Sequence, residues 1–336
     1  MANGTKIEWT EATWNPITGC TVISQGCKNC YAMQLAGTRL KNHPSRAGLT
    51  RQNKDGHHVW TGEVRLNEGW LDQPLRWKTP RMIFVCAHGD LFHESVPDEW
   101  IDRVFAVMAL CPQHTFQVLT KRAGRMRGYL KRFDEPHKHW PTMRNDDWDT
   151  AIVALWQVME DNGYDHRSTA STWPLPNVWL GMSVEDQATA NERIPLLLDT
   201  PAAVRWISAE PLLSEIVLNG WIGYQNTPQL DWVVAGGESG TNARPMHPDW
   251  ARALRDQCAA NGVPFFFKQW GGWLPIDQWS FDRSLKQTAI HVSGARIDDC
   301  TDEFPADGQR FACVGKTAAG RTLDGVLHDA MPEVAA

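Results

Sequence analysis

The chain has 336 residues, with 33 Lys and Arg against 39 Asp and Glu and a net charge of −6, which excludes a strongly cationic protein that coats DNA. Its length suits one large α/β barrel or two ordinary domains. No apolar run follows a basic N-terminal segment, and no stretch approaches the roughly 18 apolar residues of a membrane span, so a soluble, cytoplasmic protein is expected. In a reducing compartment its eight cysteines read as thiols rather than disulfides.

Near the start, "TGCTVISQGCKNCYA" places Cys20, Cys27 and Cys30 with six and then two residues between them. A polar, turn-rich segment follows over residues 42–80. From 81 to 270, short apolar runs alternate with helical stretches. "RMIFVCA" ends at His88-Gly89-Asp90, "HTFQVL" at Thr120-Lys121-Arg122 and "NVWLGM" at Ser183-Val184-Glu185. "AVRWIS" ends at Ala209-Glu210-Pro211, "LDWVVA" at "GGESG" (236–240) and "VPFFF" at Lys268-Gln269-Trp270. Continuous apolar runs mark strands covered on both faces, as in a parallel sheet. Between them, Ile101, Val104, Phe105 and Met108 form a buried helical stripe behind Pro97. Trp250, Leu254 and Cys258 form another, with Gly262 as the C-terminal cap.

This alternation predicts an α/β fold, a partial or complete (β/α) barrel over residues 1–270, with a doubly wound open sheet as the alternative. Residues 42–80 and 134–176 are insertions, read as lids over the mouth, the second holding a helix near 148–162. Residues 271–336 form a C-terminal extension whose "VGKTAAGR" lacks the phosphate-loop spacing.

Polar residues at six strand ends predict a convergent pocket on the face where barrel enzymes build their sites. Its candidates are Asp90, Lys121, Glu210 and Lys268. Ser183 reads either as the N-cap of the following helix, with Glu185 favoured by the helix dipole, or as a pocket residue with Glu185. Gly236 and Gly237 would let backbone approach a ligand, with Glu238 facing it. Six basic residues between Lys121 and Arg132 read as a solvated helix face, with phosphate tracking as the alternative. Trp140, Trp148 and Trp173 are candidates for stacking on a base. Cys86, Cys111, Cys258, Cys300 and Cys313 read as small buried apolar residues.

Three clustered thiols fit two metal chemistries. A structural zinc needs a fourth ligand, from His43, His57, His58 or a distant cysteine. An iron–sulfur cluster on three cysteines leaves one iron open. The spacing alone leaves both readings standing.

The flanks "WNPITGC" and "NCYA" resemble the cluster loop of spore photoproduct lyase-like radical S-adenosylmethionine proteins. Over nearly its whole length the chain resembles the phage-associated three-cysteine-motif family, which is radical-SAM-like. The shared stretches are "IEWTEATWNP", "GDLFHESVPDEWI", "HTFQVLTKR", "NVWLGMSVEDQ", "SAEPLL", "GGESG", "PFFFKQWG" and "GKTAAGRTLDG". The resemblance implies a radical-SAM-type barrel with a [4Fe–4S] cluster on Cys20, Cys27 and Cys30. Its open iron would hold S-adenosylmethionine, whose reductive cleavage gives a 5′-deoxyadenosyl radical. It also implies that Ser183 and Glu185 approach the ribose, that Arg193 pairs with the carboxylate, and that Gly236, Gly237 and Glu238 lie on the cofactor rim. Implied partners are an electron donor and a three-cysteine-motif partner protein, and the substrate a nucleobase or nucleotide. The loop departs from the commonest radical-SAM pattern in its first spacing, in Asn29 before the last cysteine, and in the late position of "GGESG". The alternatives are a non-enzymatic zinc- or cluster-binding module acting with a protein or nucleic-acid partner, and a hydrolase built on the strand-end carboxylates and Lys121.

Overall fold

Seven short strands pair in parallel and in chain order, which is what continuous apolar runs separated by helices dictate. They are β1 (Ala12–Trp14), β2 (Met82–Val85), β3 (Thr115–Thr120), β4 (Val178–Val184), β5 (Val204–Ala209), β6 (Trp232–Gly236) and β7 (Phe265–Gln269). The computed structural model describes residues 4–133, 150–162, 173–223, 227–240, 242–277, 284–297 and 304–333. The sheet curls into a half-barrel whose edge strands, β1 and β7, do not pair with one another. It is therefore a partial barrel, and its unbroken strand order excludes the doubly wound alternative, which requires a reversal of order.

Strands β2 to β7 are the six apolar runs of the sequence. β1 is an addition, its three residues too few to carry a periodic signal. The connecting helices are α1 (Tyr31–Gly37), α2 (Asp98–Ala109), α3 (Ala123–Lys131), α4 (Thr150–Asp161), α5 (Gln187–Leu198) and α6 (Pro248–Ala260). Among the described residues the β5–β6 connection has no helix, so the β/α alternation lapses there. The cap of α5 also differs from expectation. Asp186, not Ser183, accepts from the backbone of Thr189, and the Thr189 hydroxyl accepts in return from the Asp186 backbone. Ser183 still belongs to β4.

Two apolar layers flank the sheet. Helices α2, α3, α5 and α6 bury their stripes on the convex face. The concave face holds Trp9, Phe84, Trp179, Trp206, Trp232 and Phe266 in one cluster, with Trp206 and Trp232 centroids 5.2 Å apart. Alternate residues of a strand share a face, so each aromatic residue is followed two positions later by a smaller or polar one nearer the strand's C-terminal end. Trp206 leads to Ser208 and Glu210, Trp179 to Gly181 and Ser183, and Phe266 to Lys268.

The insertions divide. A hairpin of Thr50–Gln52 and His58–Trp60 packs against α1, beside the cysteine loop. Helix α4, anticipated within 134–176, packs against α2 and so joins the outer helix layer rather than covering the mouth. Residues 134–149 and 163–172, with Trp140 and Trp148, lie outside the described residues. Trp173 packs on Phe133 at 4.8 Å, as apolar filling rather than a stacking platform.

The C-terminal extension forms a three-stranded antiparallel sheet of Trp273–Ile276, Gln287–His291 and Gly308–Cys313. It then returns to the half-barrel. Asp329 bridges Phe266 in antiparallel fashion, and Trp232 Nε1 donates to Ala330 O at 2.9 Å. The open edge of β7 is thereby covered. No helix among the described residues is long and apolar enough to cross a membrane.

Gly181 tests the packing of the concave layer, because a Cβ there would lie 2.3 Å from the Trp206 ring. Gly181→Ala should destabilise the fold by about 1–3 kcal/mol, read as a lowered urea midpoint with an unchanged slope.

Candidate functional site

A cavity of ≈ 490 Å³ opens at the C-terminal ends of the strands. Cys20, Cys27 and Cys30 line it from the loop between β1 and α1. Asp90, Lys121, Ser183, Glu210, Gly237, Glu238 and Lys268 line it from the strand ends. The sequence-predicted thiols and most of the polar strand ends thus converge. Gly236, Glu185 and Arg193 do not line it.

The cysteine loop is held by charged groups from four directions. Arg122 donates to Cys20 Sγ at 3.5 Å and to Thr21 Oγ1 at 2.6 Å, while pairing with Asp90 at 2.9 Å. Ser24 Oγ donates to Glu185 at 2.7 Å. Asn29 donates to Glu238 at 2.9 Å and to Asn242 O at 2.8 Å. Arg244 pairs with Glu238 at 2.6 Å and donates to Gln25 O at 2.9 Å. Gly26 lies so close to Glu185 that a Cβ would sit 2.4 Å from its Cγ.

Glu185 is fully buried, and its carboxylate is shared among Lys121, Arg193 and Ser24. Burial works against its ionisation, but Lys121 and then Arg193 outweigh that effect and hold its carboxyl below the usual range. Arg193 also donates to Ser183 O at 2.7 Å. Neither residue presents a free charge to the cavity, so the cofactor contacts expected of them give way to a role beneath the loop. Glu238 keeps a place on the wall although Arg244 and Asn29 occupy its oxygens. Gly237 is required by close approach, since a Cβ would fall 2.0 Å from Trp270 O.

Burial, with a smaller contribution from Asp90, pushes the Cys20 thiol up to about 12, and burial likewise raises Cys30. Burial thus favours the neutral thiol form of both. Burial and then Arg46 push His88, on the cavity wall, down to about 4. Lys121 Nζ donates to Ser183 Oγ at 2.5 Å and also to Glu185. Lys121 is thus engaged by the Glu185 carboxylate and donates to Ser183 rather than accepting from it, so this pair does not supply the nucleophile–base arrangement of the hydrolase reading.

The basic run from Lys121 to Arg132 is neither a bare phosphate stripe nor a simple solvated face. Lys121 pairs with Glu185, Arg122 with Asp90 and Glu94, and Arg125 with Asp98. Arg127 and Lys131 share Asp199, and Arg132 pairs with Asp98 and Asp102. Cys111 and Cys258 are buried as read. Cys313 is half-buried, Cys300 lies outside the described residues, and buried Cys86 also lines the cavity. Sequence reasoning missed Ser208, Gln269 and Asn29 as wall residues. Ser208 was findable two positions before Glu210 on the same strand face.

A family model described as a protein of unknown function, DUF5131, matches residues 4–332. The chain belongs to that family. Neither a curated protein nor a solved structure matches it.

In this DUF5131 member the donor set can be compared with the two metal chemistries. No three His, Cys, Asp or Glu side chains among the described residues form a ready group for one metal ion. The proposed zinc histidines are placed elsewhere: His43 bonds Ser45 at 2.7 Å, His58 packs beside Gly37, and His43, His57 and His58 are all absent from the cavity wall. Cys86, a distant cysteine on the same wall, keeps a four-thiol zinc site open, and Cys20, Cys27 and Cys30 equally fit a cluster in which each binds a different iron.

The loop's dependence on Glu185 is measurable. Glu185→Ala strands Lys121 and Arg193 and should cost about 3 kcal/mol or more. Alkylation of Cys27 by iodoacetamide should accelerate in parallel. An unchanged alkylation rate would show that the loop holds without this carboxylate.

Proposed function

We propose that the protein is a radical S-adenosylmethionine-type enzyme acting on a substrate such as a nucleobase or nucleotide. The observation that carries this reading is the convergence of Cys20, Cys27 and Cys30 with polar strand ends on one cavity of a parallel half-barrel. On this reading Cys20, Cys27 and Cys30 would hold a [4Fe–4S] cluster, and Ser183, Glu210 and Glu238 would be polar groups available to S-adenosylmethionine. When bound, and given an external one-electron donor, the cluster would supply the electron for reductive radical-SAM chemistry. Lys121, Glu185 and Arg193 are positioning residues: they fix the floor under the cysteine loop. The apolar wall of Trp9 and Phe84 excludes water from the deep end, as radical chemistry requires. A three-cysteine-motif protein is the partner this reading proposes.

Anaerobic reconstitution with iron and sulfide should give a brown protein with cluster absorption and, after reduction, a paramagnetic signal. Cys20→Ala, Cys27→Ala or Cys30→Ala should each remove most of the iron, whereas Cys258→Ala, buried in the convex core, should not. Calorimetry should then detect S-adenosylmethionine binding to the wild-type cluster form. Full iron retention in Cys27→Ala sinks the cluster assignment. A cluster that binds no S-adenosylmethionine leaves a non-enzymatic module instead.

A further inference from the structure

The motif "VGKTAAGR" has no part in the function proposed above, yet the fold gives it a definite place. Gly315 and Gly320, at φ 81° and 75°, bracket the single helical turn Lys316–Ala319. Neither glycine has a heavy atom within 4 Å of where a Cβ would stand. Backbone conformation, not packing, therefore accounts for them. The turn is fixed from behind: Trp270 N donates to Gly320 O at 3.2 Å and Trp270 Nε1 to Thr322 O at 2.9 Å. Its outcome is that Lys316, from the C-terminal extension, stands on the cavity wall and pairs with Glu8 at 3.0 Å.

Charge on the cavity wall is unevenly matched. Asp90 is paired with Arg122, Glu210 with Lys268, Glu238 with Arg244 and Lys121 with Glu185. Lys6 lines the same cavity without a hydrogen-bond or ion-pair partner among the described residues. Lys316 shares only Glu8, whose second carboxylate oxygen is buried and unpartnered. Both lysines are exposed, and with Glu8 they leave one positive charge in excess at this rim. Beside it lie Ile7, Trp9 and Phe84, with Trp9 and Phe84 centroids 4.8 Å apart.

We infer that the C-terminal extension completes an anion subsite, in which Lys316 and Lys6 take a phosphate or carboxylate of a ligand whose flat apolar part lies against Ile7, Trp9 and Phe84. Lysine serves such groups as a point charge, and charge-assisted hydrogen bonds are about twice as strong as neutral ones. The subsite goes beyond the cluster assignment and does not need it. Two sources share the chemistry: the phosphate of a nucleotide substrate and the carboxylate of the methionyl group of the cofactor.

The test uses the purified full chain without added iron, so failure of the cluster reading leaves it intact. Adenosine, 5′-AMP and S-adenosylhomocysteine are titrated against intrinsic tryptophan fluorescence. At least one of the phosphate- or carboxylate-bearing probes should bind about tenfold tighter than adenosine. Lys316→Ala should erase that preference, Lys316→Arg should retain most of it, and Lys54→Ala, an exposed charge on the hairpin turn that does not line the cavity, should leave it unchanged. Tightening confined to 5′-AMP identifies a substrate phosphate, and tightening confined to S-adenosylhomocysteine identifies the carboxylate. Equal binding of all three probes, no binding of any, or an undiminished preference in Lys316→Ala overturns the inference.

Discussion

The site rests on one buried carboxylate. Glu185 leaves the end of β4, meets Lys121 from β3 and Arg193 from α5, and accepts from Ser24 in the cysteine loop. A single unpaired charge at that depth would cost several kcal/mol, so the cations and the hydroxyl must arrive together. This requirement ties two strands, a helix and the thiol-bearing loop into one arrangement. Gly26 completes it, because any side chain there would displace either the loop or the carboxylate.

Around that hub the half-barrel sorts its concave face by depth. Tryptophan and phenylalanine fill the lower layer, and shorter polar residues two positions onward leave room above them. The cavity is a consequence of this taper: Gly181 and Ser183 succeed Trp179, and Ser208 succeeds Trp206. Ion pairs then hold most of the polar rim in fixed positions, so the wall is preorganised rather than loosely solvated. The same pairing explains why the dense basic run after Lys121 leaves little surplus charge.

Six of the seven strands were legible because their apolar runs are continuous and end in turn residues. β1 was not, since three residues carry no period. The three cysteines were legible from spacing, and Asp90, Lys121, Glu210 and Lys268 from their strand-end positions. Glu185 and Arg193 were singled out, and the structure places them in ion pairs beneath the loop rather than on the cavity wall. A sequence pattern shows that a charge follows a strand, not whether it turns to the cavity or to a counter-charge behind it. Helix α4 was anticipated in place and length, yet its neighbour α2 depends on tertiary packing that no local pattern encodes. The capping residue of α5 shifted by three positions because Ser183 and Asp186 both suit a cap, and β4 ran on through Ser183.

The antiparallel return of the chain along β7 also imposes an order in time. The cysteine loop is synthesised early, whereas Lys316 and the segment bridging Phe266 come only after the whole barrel. Contacts of such sequence separation form late, because the intervening chain must be ordered before they repay its entropy. Until then the β7 edge stands unpaired and the cavity lacks Lys316. Covering the β7 edge is thus also the step that delivers the cavity's last charged residue.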